Sequence, residues 1–81
     1  MISYNLVMYG ALKDFFPSKM SLELADECTV KVLIGELKLK FPEASDVLSV
    51  CQLAVNDVFV SDEKFLLNGT EIVLLPPFSG G

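Results

Sequence analysis

Gly80 and Gly81 follow Pro76-Pro77-Phe78-Ser79 at the end of the sequence, and this is where residue type and spacing offer chemistry. With no Cβ on either residue, the last two peptides can thread a narrow channel and adopt φ values closed to other residues. What such a tail presents is the α-carboxyl of Gly81. An α-carboxyl with a pKa of about 3.5 is ionised at neutral pH and repels nucleophiles, so another enzyme must activate it. Joined to AMP as a mixed anhydride, the Gly81 carbonyl becomes electrophilic, and attack by sulfide or a persulfide leaves a thiocarboxylate. The tail is therefore expected to carry sulfur. A frayed or appended end is the plainer alternative, but it would hardly follow a strand and a Pro-Pro pair so directly.

Other chemistries lack their residues. The chain has no histidine, which removes the usual general base and zinc ligand. Cys28 and Cys51 show no CxxC spacing and are too few for a four-thiolate cluster, so they are expected to be ordinary reduced thiols, and no metal site is expected. Neither GxxxxGK[ST] nor GxGxxG occurs. An autonomous enzyme is disfavoured. Asn68-Gly69-Thr70 fits a glycosylation sequon, but Asn-Gly is better taken as a turn pair suited to φ > 0.

Pro76 and Pro77 stiffen the exit from the preceding segment and direct the tail away from it. The four residues from Phe78 to Gly81 reach about 13 Å when extended, enough to enter a neighbour's active site. Gly81 is the reacting residue in this reading, and Gly80, Ser79 and Phe78 are the inserted ones. Phe78 and Pro77 are the expected contacts with the partner, an aromatic anchor being a common hot spot. The competing role for Phe78 is packing on its own domain.

With 81 residues the chain is one domain, yet 52% of it is apolar and its mean hydropathy is +0.51. That is high for so small a core, so some apolar surface is expected to meet a partner. The net charge is −5, and the six basic residues are all lysines scattered along the chain. No nucleic-acid footprint results. Met1 to Ala11 is apolar but lacks a basic leader and is too short to span a bilayer, so a cytoplasmic protein without membrane contact is expected.

The elements that must position the tail follow from periodicity. Ile2, Tyr4, Leu6 and Met8 alternate with Ser3, Asn5 and Val7 as a first strand, and Met20, Leu22 and Leu24 form its hairpin partner. Between them, Ala11 to Phe16 is a short segment ended by Pro17. Thr29 is the expected N-cap of a helix carrying Val30, Leu33, Ile34, Leu37 and Phe41 on one face, with Asp26 and Glu27 favouring its dipole and Pro42 closing it. Ala44 to Val50 is ambiguous, with one helical turn as a candidate. Cys51 to Val55 is a third strand, Asn56-Asp57 a turn, Val58 to Val60 a short fourth strand, and Ser61 to Lys64 a polar loop. Glu71 to Leu75 is nearly all apolar, as in a central strand buried on both faces. The order predicts an α+β roll, a mixed sheet of four to five strands with one main helix across it, over residues 1–75, followed by a flexible tail over 76–81.

Taken together, these residues resemble the MoaD family, the small subunits of molybdopterin synthase, which are β-grasp, ubiquitin-like sulfur carriers. The likeness runs the length of the chain: Tyr9-Gly10-Ala11-Leu12-Lys13 after the opening strand, the helix start at Thr29-Val30, Ala54-Val55-Asn56 before a turn, and Asn68-Gly69-Thr70-Glu71-Ile72. The specific part is Leu75-Pro76-Pro77-Phe78-Ser79-Gly80-Gly81, close to the family's PPxxGG. The resemblance implies that a MoeB-like enzyme consumes ATP to adenylate Gly81, and that a sulfur donor protein then supplies the sulfur of a thiocarboxylate. It further implies that the tail enters a MoaE-like large subunit in a heterotetramer and there donates sulfur to a cyclic pyranopterin phosphate, building the dithiolene of molybdopterin. No cofactor would be bound by this chain itself. Two departures concern contacts: Asn-Gly-Thr-Glu stands where Asp-Gly-Asp-Glu is frequent, and Lys13 where Arg is common. Diglycine alone is shared with thiamine-type carriers of the ThiS family and with ubiquitin-like protein modifiers, which remain the alternatives.

Overall fold

The computed structural model describes residues 1–77. Its centre is a five-stranded mixed sheet in the order β2-β1-β7-β4-β5, made of β1 (Ile2–Met8), β2 (Lys19–Leu24), β4 (Gln52–Val55), β5 (Val58–Val60) and β7 (Glu71–Leu75). β1 pairs antiparallel with β2, with Leu6 opposite Met20, and parallel with β7, with Leu6 beside Ile72. The expected roll is found, with the last strand at its middle.

The alternation in β1 does what its period requires. Tyr4, Leu6 and Met8 are buried on one face, where they meet Ile72 and Leu74 of β7. Helix α1 (Val30–Lys40) lies across that face through Val30, Leu33 and Leu37, the i, i+3, i+7 set that shares one side of a helix. The helices cover only this side of the sheet. That is why the expected burial of β7 on both faces is half right: Ile72 and Leu74 are buried, whereas Val73 and Leu75 on the opposite face are only partly covered.

Ala11 to Phe16 forms most of a 3-10 turn over Gly10–Asp14, which sinks Leu12 into the core; Phe16 beyond it meets the ring of Phe41 edge-on at 4.6 Å. The ambiguous stretch after the helix contains more structure than one turn. Pro42 ends α1 but also opens a 3-10 turn (Pro42–Ala44), where its missing N–H costs nothing, and α2 (Ser45–Val50) follows at once. Ala44 and Leu48 are its buried anchors.

Thr29 is the N-cap, its Oγ1 accepting from the Val32 amide at 3.4 Å. Carbonyls of the polar loop satisfy the first helix amides, Lys64 and Asp62 accepting from Val30 and Lys31 at 3.0 Å each. Glu27, upstream of the helix, accepts from the Asn68 amide. A second sheet, absent from the periodicity reading, explains why: β3 (Cys28–Thr29) pairs antiparallel with β6 (Phe65–Leu66), bringing residues 26–29 beside the 67–70 turn. Two-residue strands are too short to show alternation.

Both turns read from the sequence are present. Asn56 and Asp57 have φ of 53° and 65°, the double positive φ of a tight two-residue hairpin loop, and join β4 to β5. Gly69 has φ of +85°, and its amide donates to the Ser3 carbonyl at 2.7 Å while the Asn68 side chain accepts from the Ser3 amide at 2.8 Å. The turn thus clips the start of β1 to the approach to β7.

Candidate functional site

The site begins where β7 ends. Leu74 still accepts a backbone hydrogen bond from the Tyr9 amide at 3.3 Å, but Pro76 and Pro77 have no N–H, so the ladder stops there. Gly10, just past β1, takes φ of +57° and lies directly against Pro76: a Cβ built on Gly10 would sit 2.9 Å from the Pro76 Cγ. Pro76 is partly covered and Pro77 is exposed. The chain therefore leaves the sheet at its centre, over the beginning of the 3-10 turn.

Beside this exit lies an open groove of about 650 Å³ whose walls include Tyr9, Val50, Phe59, Leu75, Pro76 and Pro77. Its apolar side chains are left facing solvent: Phe59 is 63% exposed and Val50 57%. Register explains the grouping. Gln52 stands opposite Leu75, and Ala54 is flanked by Val73 and Phe59, so the apolar residues of β7, β4 and β5 accumulate on the sheet face that no helix covers. Lys13 stands over the Tyr9 ring, its Nζ 5.9 Å from the centroid, and places a positive charge at the rim.

Of the residues expected to form the site, Pro77 is on the wall of this groove. Phe78, Ser79, Gly80 and Gly81 lie outside the described residues. Gly10, Val50 and Phe59 belong to the groove without having been expected there, Gly10 having been quoted only within the segment that carries the resemblance. The signal for Phe59 was its place in Val58-Phe59-Val60, three apolar residues in a short strand after a turn, too apolar for a sheet edge facing water on both sides. The signal for Gly10 was a glycine at the end of the first strand.

Neither cysteine lines the exit groove, although Cys51 lies between two of its wall residues, Val50 and Gln52. Cys28 sits half-buried beside Tyr4, and burial raises its pKa, an effect the Tyr4 hydroxyl partly offsets. Cys51 donates to the Leu48 carbonyl, and burial pushes its thiol up to about 11 against a weaker lowering by Lys38. Thiols raised in this way hold little thiolate at neutral pH, the opposite of an activated nucleophile. Among the described residues, no three His, Cys, Asp or Glu side chains gather as a metal site. No described helix is long and apolar enough to cross a membrane.

Comparison with known proteins agrees with this architecture. Among curated relatives, the molybdopterin synthase sulfur carrier subunit of Arabidopsis thaliana is 32% identical over 62 residues, covering 76% of this chain and 65% of the relative. That of Dictyostelium discoideum is 43% identical over 58 residues, covering 69% and 67%. The chain thus aligns with about two thirds of the length of these relatives. Among solved structures, a putative molybdopterin converting factor subunit 1 from Pyrococcus furiosus superposes with a TM-score of 0.82 at 19% identity, over 95% of this chain and 99% of that one. A chain of a complex of subunits 1 and 2 of the molybdopterin-converting factor from Helicobacter pylori does so at 0.68 and 22%, over 99% and 100%. These place the fold among the β-grasp proteins. The ThiS family model matches residues 6–81, and the chain belongs to the ThiS family.

Proposed function

We propose that this chain is the sulfur-carrier subunit of a molybdopterin synthase, and that the carrier atom is the terminal carbonyl of Gly81. The observation that carries the reading is the aimed exit: Pro76 and Pro77 leave the centre of the sheet against Gly10, next to an uncovered apolar groove, with Phe78 to Gly81 still to follow. Membership of the ThiS family does not by itself separate a molybdopterin carrier from a thiamine-type one; the curated relatives, which bear the name of this subunit, favour the former.

The chemistry runs in three balanced steps. The Gly81 carboxylate attacks the α-phosphorus of ATP in an adenylating, MoeB-like enzyme and displaces pyrophosphate. Hydrosulfide delivered by a sulfur donor protein then attacks the acyl carbon and displaces AMP, leaving a thiocarboxylate. In the large, MoaE-like subunit the thiocarboxylate sulfur bonds to a carbon of the cyclic pyranopterin phosphate as a carbon–oxygen bond there breaks and its oxygen departs as phosphate or water, and a second water then cleaves the acyl–sulfur bond, restoring the carboxylate and leaving a thiol on the pterin. A dithiolene needs two sulfurs, hence two loaded carriers. ATP is consumed by the activating enzyme and no cofactor resides on this chain, whose working place is the cytoplasm. Its own contribution is delivery: residues 1–75 hold the tail, and the groove at Tyr9, Phe59 and Leu75 docks the large subunit so that Gly81 leads the way in, with Gly80, Ser79, Phe78 and Pro77 following it.

The test is intact-mass analysis of the protein after incubation with ATP, an adenylating enzyme and a sulfide source. A mass gain equal to the replacement of one oxygen by sulfur, located on Gly81, is expected. If the sulfur is found on a cysteine, or lysine-linked conjugates form in its place, the carrier reading gives way to a thiol-based or modifier role.

A further inference from the structure

We infer that Gly10 is a positioning residue for sulfur delivery, acting through the ring of Pro76; the inference rests on the carrier reading above. Two features of the structure meet at this glycine. Its φ of +57° lies in the left-handed region, and a Cβ there would stand 2.9 Å from Pro76 Cγ and 3.6 Å from Cδ. The first feature alone does not single Gly10 out, because Gly69 also has positive φ, at +85°. A Cβ on Gly69, however, would meet nothing within 4 Å. Among the described glycines, only at Gly10 does the missing Cβ make room for the segment that leads into the tail.

The contact has little freedom to yield on either side. Beneath it the backbone is tied to the sheet, the Tyr9 amide donating to the Leu74 carbonyl at 3.3 Å. Above it Pro76 is a ring with fixed φ, followed by a second proline, so the segment has few soft dihedrals with which to absorb a push. A Cβ at position 10 therefore displaces Pro76, and the displacement passes into Pro77, re-aiming the segment from which the tail departs. Misplacement of a reacting group by about 1 Å can cost roughly a hundredfold in rate. Gly10 sets direction, not chemistry, and touches no reacting atom.

The experiment separates backbone strain from contact. Asn tolerates positive φ, so Gly10→Asn adds a Cβ while keeping the local conformation, and Pro76→Ala removes the ring atoms that the Cβ would meet. Single-turnover sulfur transfer to the precursor is measured for the wild-type protein, both single variants and the double variant, each combined with the large subunit. Gly10→Asn is expected to lower the rate roughly 10- to 100-fold, and the double variant is expected to match Pro76→Ala alone, a non-additivity that marks direct coupling. In amide NMR spectra of the free protein, Gly10→Asn should move the signals of Tyr9 and Leu75 while leaving those of Leu33 and Leu37 in place. Wild-type transfer by Gly10→Asn, or strictly additive losses in the double variant, would remove the positioning role. A wild-type chain that cannot be thiocarboxylated at all would instead overturn the carrier reading, with the NMR comparison still reporting on the contact.

Discussion

The phenol of Tyr4 donates a 2.7 Å hydrogen bond to the carbonyl of Leu66 and accepts a 3.0 Å bond from the amide of Cys28. One fully buried side chain on the central sheet thereby ties down both strands of the small β3-β6 sheet. Tyr4→Phe would leave the buried Leu66 carbonyl, and to a smaller extent the part-buried Cys28 amide, without that partner, and an unpaired buried group costs about 1 to 3 kcal/mol. The expected outcome is a loss of about 1 to 3 kcal/mol in urea unfolding, with sulfur loading of the folded protein unchanged, because Tyr4 is remote from the tail exit.

Alkali should destabilise the domain through the same buried groups. Burial raises the pKa of Tyr4 and Cys28, and pushes Cys51 from 9.0 to about 11. Each folded form holds a proton that the unfolded chain releases sooner, so the stabilisation is complete below the unfolded values and is lost as pH rises through the folded ones. The urea midpoint is expected to fall steadily from pH about 9 to about 11, and Cys51→Ala should flatten part of that slope. At neutral pH the same shift predicts slow alkylation of both thiols by iodoacetamide. Sulfur loading should survive Cys28→Ser with Cys51→Ala; its loss in a folded protein would move the sulfur to a thiol.

Docking should depend on Phe59 more than stability does. Since its ring is 63% exposed, Phe59→Ala is expected to leave the melting temperature within a few degrees and to weaken the complex with the large subunit by about 1 to 3 kcal/mol, as for an interface hot spot. Phe78→Ala should weaken the complex by a similar amount if Phe78 is the tail's anchor. Titration calorimetry decides both, and a lowered melting temperature with unchanged affinity would assign Phe78 to its own domain.

The terminal residue should matter to chemistry alone. Pairing of β7 ends at Leu75, so deleting Gly81 removes no ladder bond and should leave stability unchanged. The new carboxylate would stand about 3.5 Å short of the reacting position, and adenylation by the activating enzyme should drop below detection. Replacing Gly80 with Val should impair the same step by closing positive φ and widening the tail.

Much of the scaffold was legible in the sequence because period and punctuation agreed: β1 alternates cleanly, Thr29 caps α1, and Asn56-Asp57 and Asn68-Gly69 turn where they should. The small β3-β6 sheet was not legible, since four residues in two strands carry no period and are specified by Tyr4, far away in sequence. Glu27's bond to the Asn68 amide was hidden for the same reason. Asn68 becomes a neighbour only once that sheet forms. At the site, the tail motif was readable as chemistry, whereas the groove was not, because Val50, Phe59 and Leu75 come from α2, β5 and β7 and meet only through sheet register.

The position of β7 has a consequence for biosynthesis. The strand that fills the middle of the sheet is the last of the described strands to leave the ribosome, and it must insert beside the first one made, a pairing that no earlier segment can complete. Such long-range closure is slow to nucleate, and a nascent chain cut off before residue 71 has two half-sheets with nothing between them. The exit at Pro76 exists only once β7 is seated, so on the carrier reading proposed above a chain would present an aimed tail only after the whole domain has folded.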